Sequence, residues 1–187
     1  YKRQSESGSQ SVTITITENE SAPTITLARS AASIDENSAS TVTLTATISG
    51  VTDSAVTVAL DTSGTATEGT DYVTISDITI SAGATTGTAT LDPTDDNIYE
   101  DDETATIDIS SVSGKSGVTE NGTQQVSVTI AENESAPTVT LATSATSIAE
   151  NAGTSLTLTA TLSVATTADV TVALSTSGTA TEGTDYT

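Results

Sequence analysis

Apolar and polar residues alternate with a period of two through the middle of the chain, as in VTLTATI at 42–48 and VTVAL at 56–60. This period is typical of β-strands that bury one face and expose the other. Threonine fills most of the outward positions, where its β-branched side chain favours an extended backbone. The pattern predicts seven strands, at 24–34, 41–49, 55–61, 73–80, 86–92, 103–110 and 124–131.

The apolar faces of these strands predict a thin core, because the chain contains no Phe, Trp or Met. Seven short antiparallel strands in about 110 residues are typical of the immunoglobulin-like β-sandwich, which is the fold class that we expect. We expect Tyr72 and Tyr99 to cap one end of this core. The predicted inward side chains are Val42, Leu44, Ala46, Ile48, Val56, Val58, Leu60, Ile78, Ile80, Leu91, Ile107, Ile109, Val126, Val128 and Ile130.

The sequence also repeats itself with a shift of 114 residues, since ENESAPT occurs at 18–24 and again at 132–138. An alignment of 23–73 with 137–187 needs no gap and is identical at 34 of 51 positions. Repetition at a fixed period is typical of domain arrays, so we expect tandem sandwiches. The expected units are the C-terminal strand of a preceding repeat at 1–22, a complete repeat at 23–136 and the N-terminal part of the next repeat at 137–187.

The balance of charge excludes several classes of partner. The chain carries 25 acidic and four basic residues, a net charge of −21. Nucleic acids and anionic membrane surfaces would be repelled, so we expect neither as a partner. No apolar stretch is long enough for a transmembrane helix, and we expect no direct membrane insertion. Because the chain has no His and no Cys, its serines have no evident catalytic base, and we expect that it is not an enzyme.

Acidic residues concentrate in one connection, DPTDDNIYEDDE at 92–103, which has seven carboxylates in twelve positions. Such crowding is unfavourable unless the side chains face open water or a cation lies among them. Ca²⁺ binds about six to eight oxygen atoms, whereas zinc and copper usually need nitrogen or sulfur ligands. The connection is not an EF-hand, because Asn97 stands at the position of the turn glycine and strands flank it. We therefore expect a calcium site, with a solvated loop tip as the alternative.

Strand direction predicts that other acids join this connection. If the seven strands alternate in direction, the first, third and fifth connections and the exit of the last strand lie at the same end of the sandwich. The opposite end holds only Asp53 and Glu120 as acids, together with Lys115. The acids expected at the first end are Asp35, Glu36, Glu68, Asp71, those of 92–103, Glu132 and Glu134. Carboxylates from four connections at one end favour a metal site over a solvated tip.

Three motifs, SIDEN at 33–37, GTATEGTDY at 64–72 and DDNIYEDDE at 95–103, together resemble the Calx-beta domain. That module occurs in the regulatory region of sodium/calcium exchangers and in long bacterial surface proteins. The resemblance implies a cluster of calcium ions bound by the loop before the sixth strand and by acids of the other connections at that end. The implied ligands are Glu36, Asp71, Asp95, Asp96, Glu100 and Glu103, with the carbonyl of Ile98 as a further candidate. Glu132 and Glu134 stand where the family usually has aspartates, and they complete the expected set.

The expected function follows from the repeat and this resemblance. We expect a calcium-binding segment of a large extracellular or cell-surface protein, acting as a calcium-stiffened stalk, adhesin or filament. Its expected partners are the neighbouring repeats of the same chain, with identical chains in a fibre or a cell-surface ligand as further candidates. One alternative is a calcium-sensing regulatory domain of a membrane transporter. Another is a cadherin-like adhesion array, since ENESAP is similar to the calcium-binding linker of those proteins.

Overall fold

The computed structural model describes residues 3–5, 8–17, 19–151 and 153–187. This part of the chain contains strands and no helix. It therefore has no helix that could span a membrane. The strands are β1 (Thr24–Arg29), β2 (Ser33–Asp35), β3 (Val42–Ile48), β4 (Val56–Gly64), β5 (Ile78–Ile80), β6 (Thr86–Leu91), β7 (Ile98–Tyr99), β8 (Glu103–Ser113), β9 (Thr119–Glu120), β10 (Gln125–Ala131), β11 (Val139–Thr143), β12 (Leu158–Leu162) and β13 (Ala165–Thr166).

Two sheets form the body of the complete repeat, with strand orders β6-β3-β1-β9 and β2-β10-β8-β4-β5. Most neighbouring strands are antiparallel, while β1 with β9 and β10 with β2 are parallel. Buried side chains of both sheets form one apolar core. The predicted all-β sandwich is therefore confirmed.

The first predicted strand, 24–34, is in fact two strands that lie in different sheets. β1 pairs with β3, whereas β2 pairs with β10. Ile25 and Leu27 point inward from β1, but Ile34 falls in the opposite phase of the alternation. Because successive side chains of a strand point to opposite faces, one continuous strand could not bury all three. The chain therefore crosses from one sheet to the other between β1 and β2.

Two other predicted strands have different lengths in the structure. The strand predicted at 73–80 is reduced to β5, because side-chain carboxylates take the place of strand-to-strand hydrogen bonds before Ile78. Glu68 accepts the N–H of Ile75 at 3.0 Å, and Asp77 accepts the N–H of Leu60 at 3.2 Å. The strand predicted at 103–110 continues to Ser113 as β8. Its pairing with β4 shifts register between Ala59 and Leu60.

The core follows the predicted alternation closely. Of the fifteen predicted inward side chains, all are buried except Leu60 and Val126, which are half-buried against the core. Tyr72 is 1% exposed and is the largest fully buried side chain among the described residues, which agrees with its expected place in the core. Tyr99 is half-buried in β7. Every buried apolar side chain in the described part of the chain lies between Ile25 and Ile130, so the segment 23–136 closes its own core.

The segment after Pro137 repeats the local structure of the complete repeat. β11 pairs with β12 in the register of β1 with β3, since Val139 faces Leu162 as Ile25 faces Ile48. The turns agree as well: Gly69 donates to the carbonyl of Tyr72 at 2.8 Å, and Gly183 donates to that of Tyr186 at 2.7 Å. Equivalent sequence thus forms equivalent structure at these two places, whereas the counterparts of β2 and β4, at 147–149 and 170–178, are not strands. The exact domain boundaries stay a prediction.

Candidate metal centre

The acids expected to act together lie at one end of the sandwich, because of how the strands pair. β2 runs parallel to β10, and the N–H of Glu36 donates to the carbonyl of Ala131 at 3.0 Å, which sets Glu36 beside the exit of β10. Glu103 faces Ile130 in the pairing of β8 with β10. A bridge between Tyr72 and Pro93 joins the turn after β4 to the acidic loop, residues 92–102. We call this end the acid pole; its members are Glu36, Asp71, Asp95, Asp96, Glu100, Glu103, Glu132 and Glu134.

Within the acid pole, two groups of three carboxylates come close together. Glu36, Glu132 and Glu134 each offer an oxygen atom, and these atoms lie within 4.8 Å of one another. Asp71, Glu100 and Glu103 form a second group by the same measure. Each group takes its members from more than one connection, so each joins parts of the chain that are distant in sequence.

Backbone donors fix the acidic loop around these groups. Asp96 donates its N–H to Oε1 of Glu36 at 3.3 Å, while its own Oδ1 accepts the N–H of Ile98 at 2.6 Å. The N–H of Glu100 donates to Oε2 of Glu132. Carboxylates of the first group thus hold the loop that carries Glu100 of the second group, and the two groups form one structural unit.

A small cavity lies between the two groups. Its volume is about 10 Å³, which is room for about one water-sized occupant. The lining consists of six carboxylate side chains and one apolar side chain: Glu36, Asp71, Glu100, Asp101, Glu103, Glu132 and Ile130. Oxygen atoms from so many carboxylates around so small a space are the donor set of a hard divalent cation.

Burial and like charge raise the pKa of several of these carboxyl groups. Burial is the largest cause for Glu36, and the charges of Glu132, Asp96 and Glu134 add to it, so that its pKa is raised to about 7 even though the N–H of Asp96 acts in the opposite sense. Burial, a hydrogen bond with Asp71 and the neighbouring carboxylates raise the pKa of Glu103 to about 7. The protein by itself therefore disfavours the fully ionised form of the acid pole.

Three further groups complete this electrostatic picture. Burial and the charges of Asp71, Asp96 and Glu132 raise the pKa of Glu100. A hydrogen bond with Glu132 and burial raise the pKa of Glu134. Burial alone would raise the pKa of Glu132 too. The N–H groups of Glu134, Glu100 and Asn133 donate to its carboxylate and outweigh burial, so that its pKa is lowered. Glu132 is thus the member of its group that is held in the ionised form.

One buried oxygen of the acid pole has no hydrogen-bond partner among the described residues. Oε2 of Glu134 is shielded from solvent and makes no hydrogen bond within the part of the chain that the structure describes. In that same part the one ion pair joins Lys115 to Asp53, at the opposite end. A buried carboxylate oxygen without a donor is costly unless a cation meets it. The residues present therefore fit a bound cation that is coordinated by oxygen.

All eight predicted ligands lie at this end, but they do not contribute equally. Six of them form the two groups of three. Asp95 is exposed and accepts the side-chain amide of Asn133 at 3.2 Å. Asp96 belongs to neither group, yet its charge raises the pKa of both Glu36 and Glu100. Their role as metal ligands stays a prediction.

Two acids of this end, Asp101 and Glu68, have roles that the sequence did not predict. Asp101 lines the cavity although it was not among the predicted ligands; its position inside the acidic loop was the available signal. Glu68 was expected at this end, but its carboxylate accepts the hydroxyl of Thr62 at 2.6 Å and the N–H of Ile75. Glu68 therefore stabilises the turn after β4 and is not a member of either group.

A pair of double variants tests which acids of the loop bind the ion. We expect Glu100→Gln with Glu103→Gln to weaken calcium affinity by at least about 100-fold, because two of the three charges of one group are lost at about 1.4 kcal/mol or more each. Asp101→Asn with Asp102→Asn should weaken it by less than about tenfold, since neither side chain belongs to a group of three. Isothermal calorimetry measures both affinities. Equal losses would mean that the loop attracts calcium only through its overall charge.

Comparison with known proteins identifies the family of this chain. The family model described as the Calx-beta domain matches residues 13–134 and 132–187. A comparison with curated protein sequences finds no match. Among solved structures, the apo form of the Calx CBD1 domain is 21% identical with a TM-score of 0.47, and the match covers 59% of this chain and 98% of that one. CBD12 from CALX1.2 is 20% identical with a TM-score of 0.47, over 58% of this chain and 44% of that one.

The two family matches together cover almost all of the chain, and they include each of the three motifs on which the resemblance rested. The expected recognition is confirmed. The chain belongs to the Calx-beta domain family.

Proposed function

We propose that this chain binds Ca²⁺ at the acid pole and serves as a calcium-stiffened segment of a large extracellular or cell-surface protein. Calx-beta domains bind Ca²⁺, and the residues here have the donor chemistry that the ion requires. The observation that carries the proposal is the cavity of about 10 Å³ lined by six carboxylates. No lysine or arginine of the described residues is paired with those carboxylates.

The two groups of three carboxylates are the two places where calcium would bind. Glu36, Glu132 and Glu134 would hold one ion, and Asp71, Glu100 and Glu103 another. When bound, the ions supply positive charge that converts the repulsion within each group into attraction. The side chains of this chain then do the structural work, because they tie the connection after β2, the turn after β4 and the acidic loop to the exit of β10.

The exit of β10 makes the site relevant to the whole array. Five residues, 132–136, separate β10 from Pro137, and two of the proposed ligands, Glu132 and Glu134, lie within that linker. A ligand set that includes the linker couples ion binding to the angle between one sandwich and the next. We therefore favour a spacer whose stiffness depends on calcium, with neighbouring repeats of the same chain as its first partners. Nothing in the acid pole resembles catalytic machinery, so we propose a structural role and no enzymatic one.

The extracellular location is tested by labelling cells that make the parent protein. Antibodies against residues 23–136 should label intact cells, because a stalk presents its repeats outside the membrane. Labelling that appears only after permeabilisation would instead support an intracellular calcium sensor. Solution scattering from two joined repeats, with calcium and with chelator, tests the mechanical role directly.

A further inference from the structure

A short strand of the segment after Pro137 pairs with the acidic loop. β13 runs parallel to β7, with Ala165 facing Ile98 and Thr166 facing Tyr99. β7 lies inside the acid pole, since the N–H of Ile98 donates to Asp96. The N–H of Glu100, the residue that follows β7, donates to Glu132. The acidic loop thus has two functions in this structure. Its side chains form the candidate metal centre, and its backbone contacts the following repeat.

The partner of β7 has an equivalent in the complete repeat. A shift of 114 residues maps Ala165 and Thr166 onto Val51 and Thr52. The two places share a local structure: the hydroxyl of Thr52 donates to the carbonyl of Ser54 at 2.8 Å, and the hydroxyl of Thr166 donates to that of Ala168 at 2.6 Å. Val51 is 63% exposed, whereas Thr52 is 7% exposed. The connection after β3 thus has the local structure of the connection that contacts β7, and it presents Val51 at the surface.

The surroundings of Val51 form a recess that an inserted loop would fill. A groove of about 600 Å³ is lined by residues 20–23 of the preceding linker, by residues 50–53 and by Lys115 and Ser116. We call these residues the docking face. Lys115 lies 2.7 Å from Asp53 and neutralises it, so the docking face does not oppose an acidic partner as strongly as the rest of the chain would.

We propose that the docking face receives the acidic loop of the preceding repeat, so that consecutive sandwiches join head to tail by a backbone bridge beside the metal centre. The occupant is another copy of the same module, because the contact already exists once, between β7 and β13. The linkers support it, since ENESAP occurs at 18–23 and at 132–137 and leads into each repeat with the same spacing. This inference rests on the proposed function as a repeat array and adds the residues that join the units.

Disulfide formation tests the docking face. The test protein is residues 23–136 followed directly by a second copy, and each copy is expected to fold because the segment closes its own core. Ile98→Cys in the first copy is combined with Val51→Cys in the second, because Val51 is 63% exposed. These are the only two thiols. Residues that face each other in a β-bridge are at a distance suited to a disulfide. With calcium present, we expect this pair to oxidise at least about tenfold faster than a control pair whose second thiol is Ala82→Cys. A docked joint raises the effective concentration of one thiol at the other.

The control keeps the first thiol and moves the second. Ala82→Cys in the second copy lies in the exposed turn between β5 and β6, at the same end, since the N–H of Gly83 donates to the carbonyl of Thr52 at 2.9 Å. Tyr99→Cys with Thr52→Cys is a second in-register pair, for use if Ile98→Cys unfolds the loop. Equal rates for in-register and control pairs would overturn the docking proposal. Melting of the same proteins with calcium or chelator reports ion binding independently, so a failure of docking and a failure of calcium binding are distinguishable.

Discussion

Calcium is expected to raise the unfolding temperature of this chain by about 10 °C for each occupied site. At a free concentration of about one hundred times Kd, one site contributes about 2.7 kcal/mol to the free energy of unfolding. A domain of about 110 residues gains roughly 4 °C for each kcal/mol. The effect is large because the ions would bind only the folded chain, where the strands bring carboxylates from four connections together. Differential scanning calorimetry in calcium and in chelator measures it.

Magnesium is the matched ion for comparison. It demands a nearly ideal octahedral shell and retains much of its water, so an irregular site of glutamates and aspartates should bind it poorly. The expected shift with magnesium is therefore a small fraction of the shift with calcium at equal concentration. A melting temperature that chelator does not change would contradict the calcium-binding proposal.

The pH dependence of the same melts identifies the acid pole as the source. Without calcium, Glu36 and Glu103 have pKa values of about 7 in the folded chain, against an ordinary value of 4.5. The folded state therefore binds more protons than the unfolded state between these values, and stability should fall as pH rises from about 4.5 to 7. Calcium favours the ionised form and should remove that fall. Glu36→Gln with Glu103→Gln should raise the melting temperature in chelator and lose most of the response to calcium.

The sandwich was largely predictable because its signal is local and periodic. Val42 to Ile48 alternates without a break, and the structure buries the expected face of that strand. The division of 24–34 into β1 and β2 was readable from the phase change between Leu27 and Ile34, but only if no continuous strand was assumed. The loss of ladder pairing before β5 was not readable, because it depends on where the side chains of Glu68 and Asp77 find backbone donors.

The candidate site was predictable as a region and less so as a set of atoms. Strand direction brings Glu36, Asp71 and the acidic loop to one end whatever the details of the loop. Alternation does not choose between the carboxylates at 100–103, and the proximity of Glu100 to Glu103 could not be predicted because β8 begins only at Glu103, so residues 100–102 lie outside the strand. The pairing of β7 with β13 had no sequence signal, since a bridge of two residues has no periodicity.

Two complete repeats joined by their natural linker are expected to lengthen when calcium binds. Each sandwich is about 40 Å long, from about eleven strand residues at roughly 3.3 Å each plus its connections. A freely bending joint between two such units gives a mean end-to-end distance shorter than a straight joint does by about 25 Å. Without calcium, the linker glutamates and the acidic loop repel each other and the joint should bend. Small-angle scattering measures the change in mean and maximum dimension, together with the loss of angular spread.

The linker itself explains why this lengthening should depend on Glu132 and Glu134. The N–H of Glu132 donates to Asp102 at 3.0 Å, and Asn133 donates to Asp95, so the linker already lies against the acidic loop. Pro137 restricts its own φ and favours an extended Ala136, which leaves little slack beyond those contacts. Glu132→Gln with Glu134→Gln should abolish most of the lengthening while each sandwich stays folded. Asp61→Asn with Asp108→Asn removes the same charge from facing positions of β4 and β8 and should leave the lengthening intact. Scattering curves that do not differ between calcium and chelator would mean that the ions stabilise single sandwiches and do not stiffen the array.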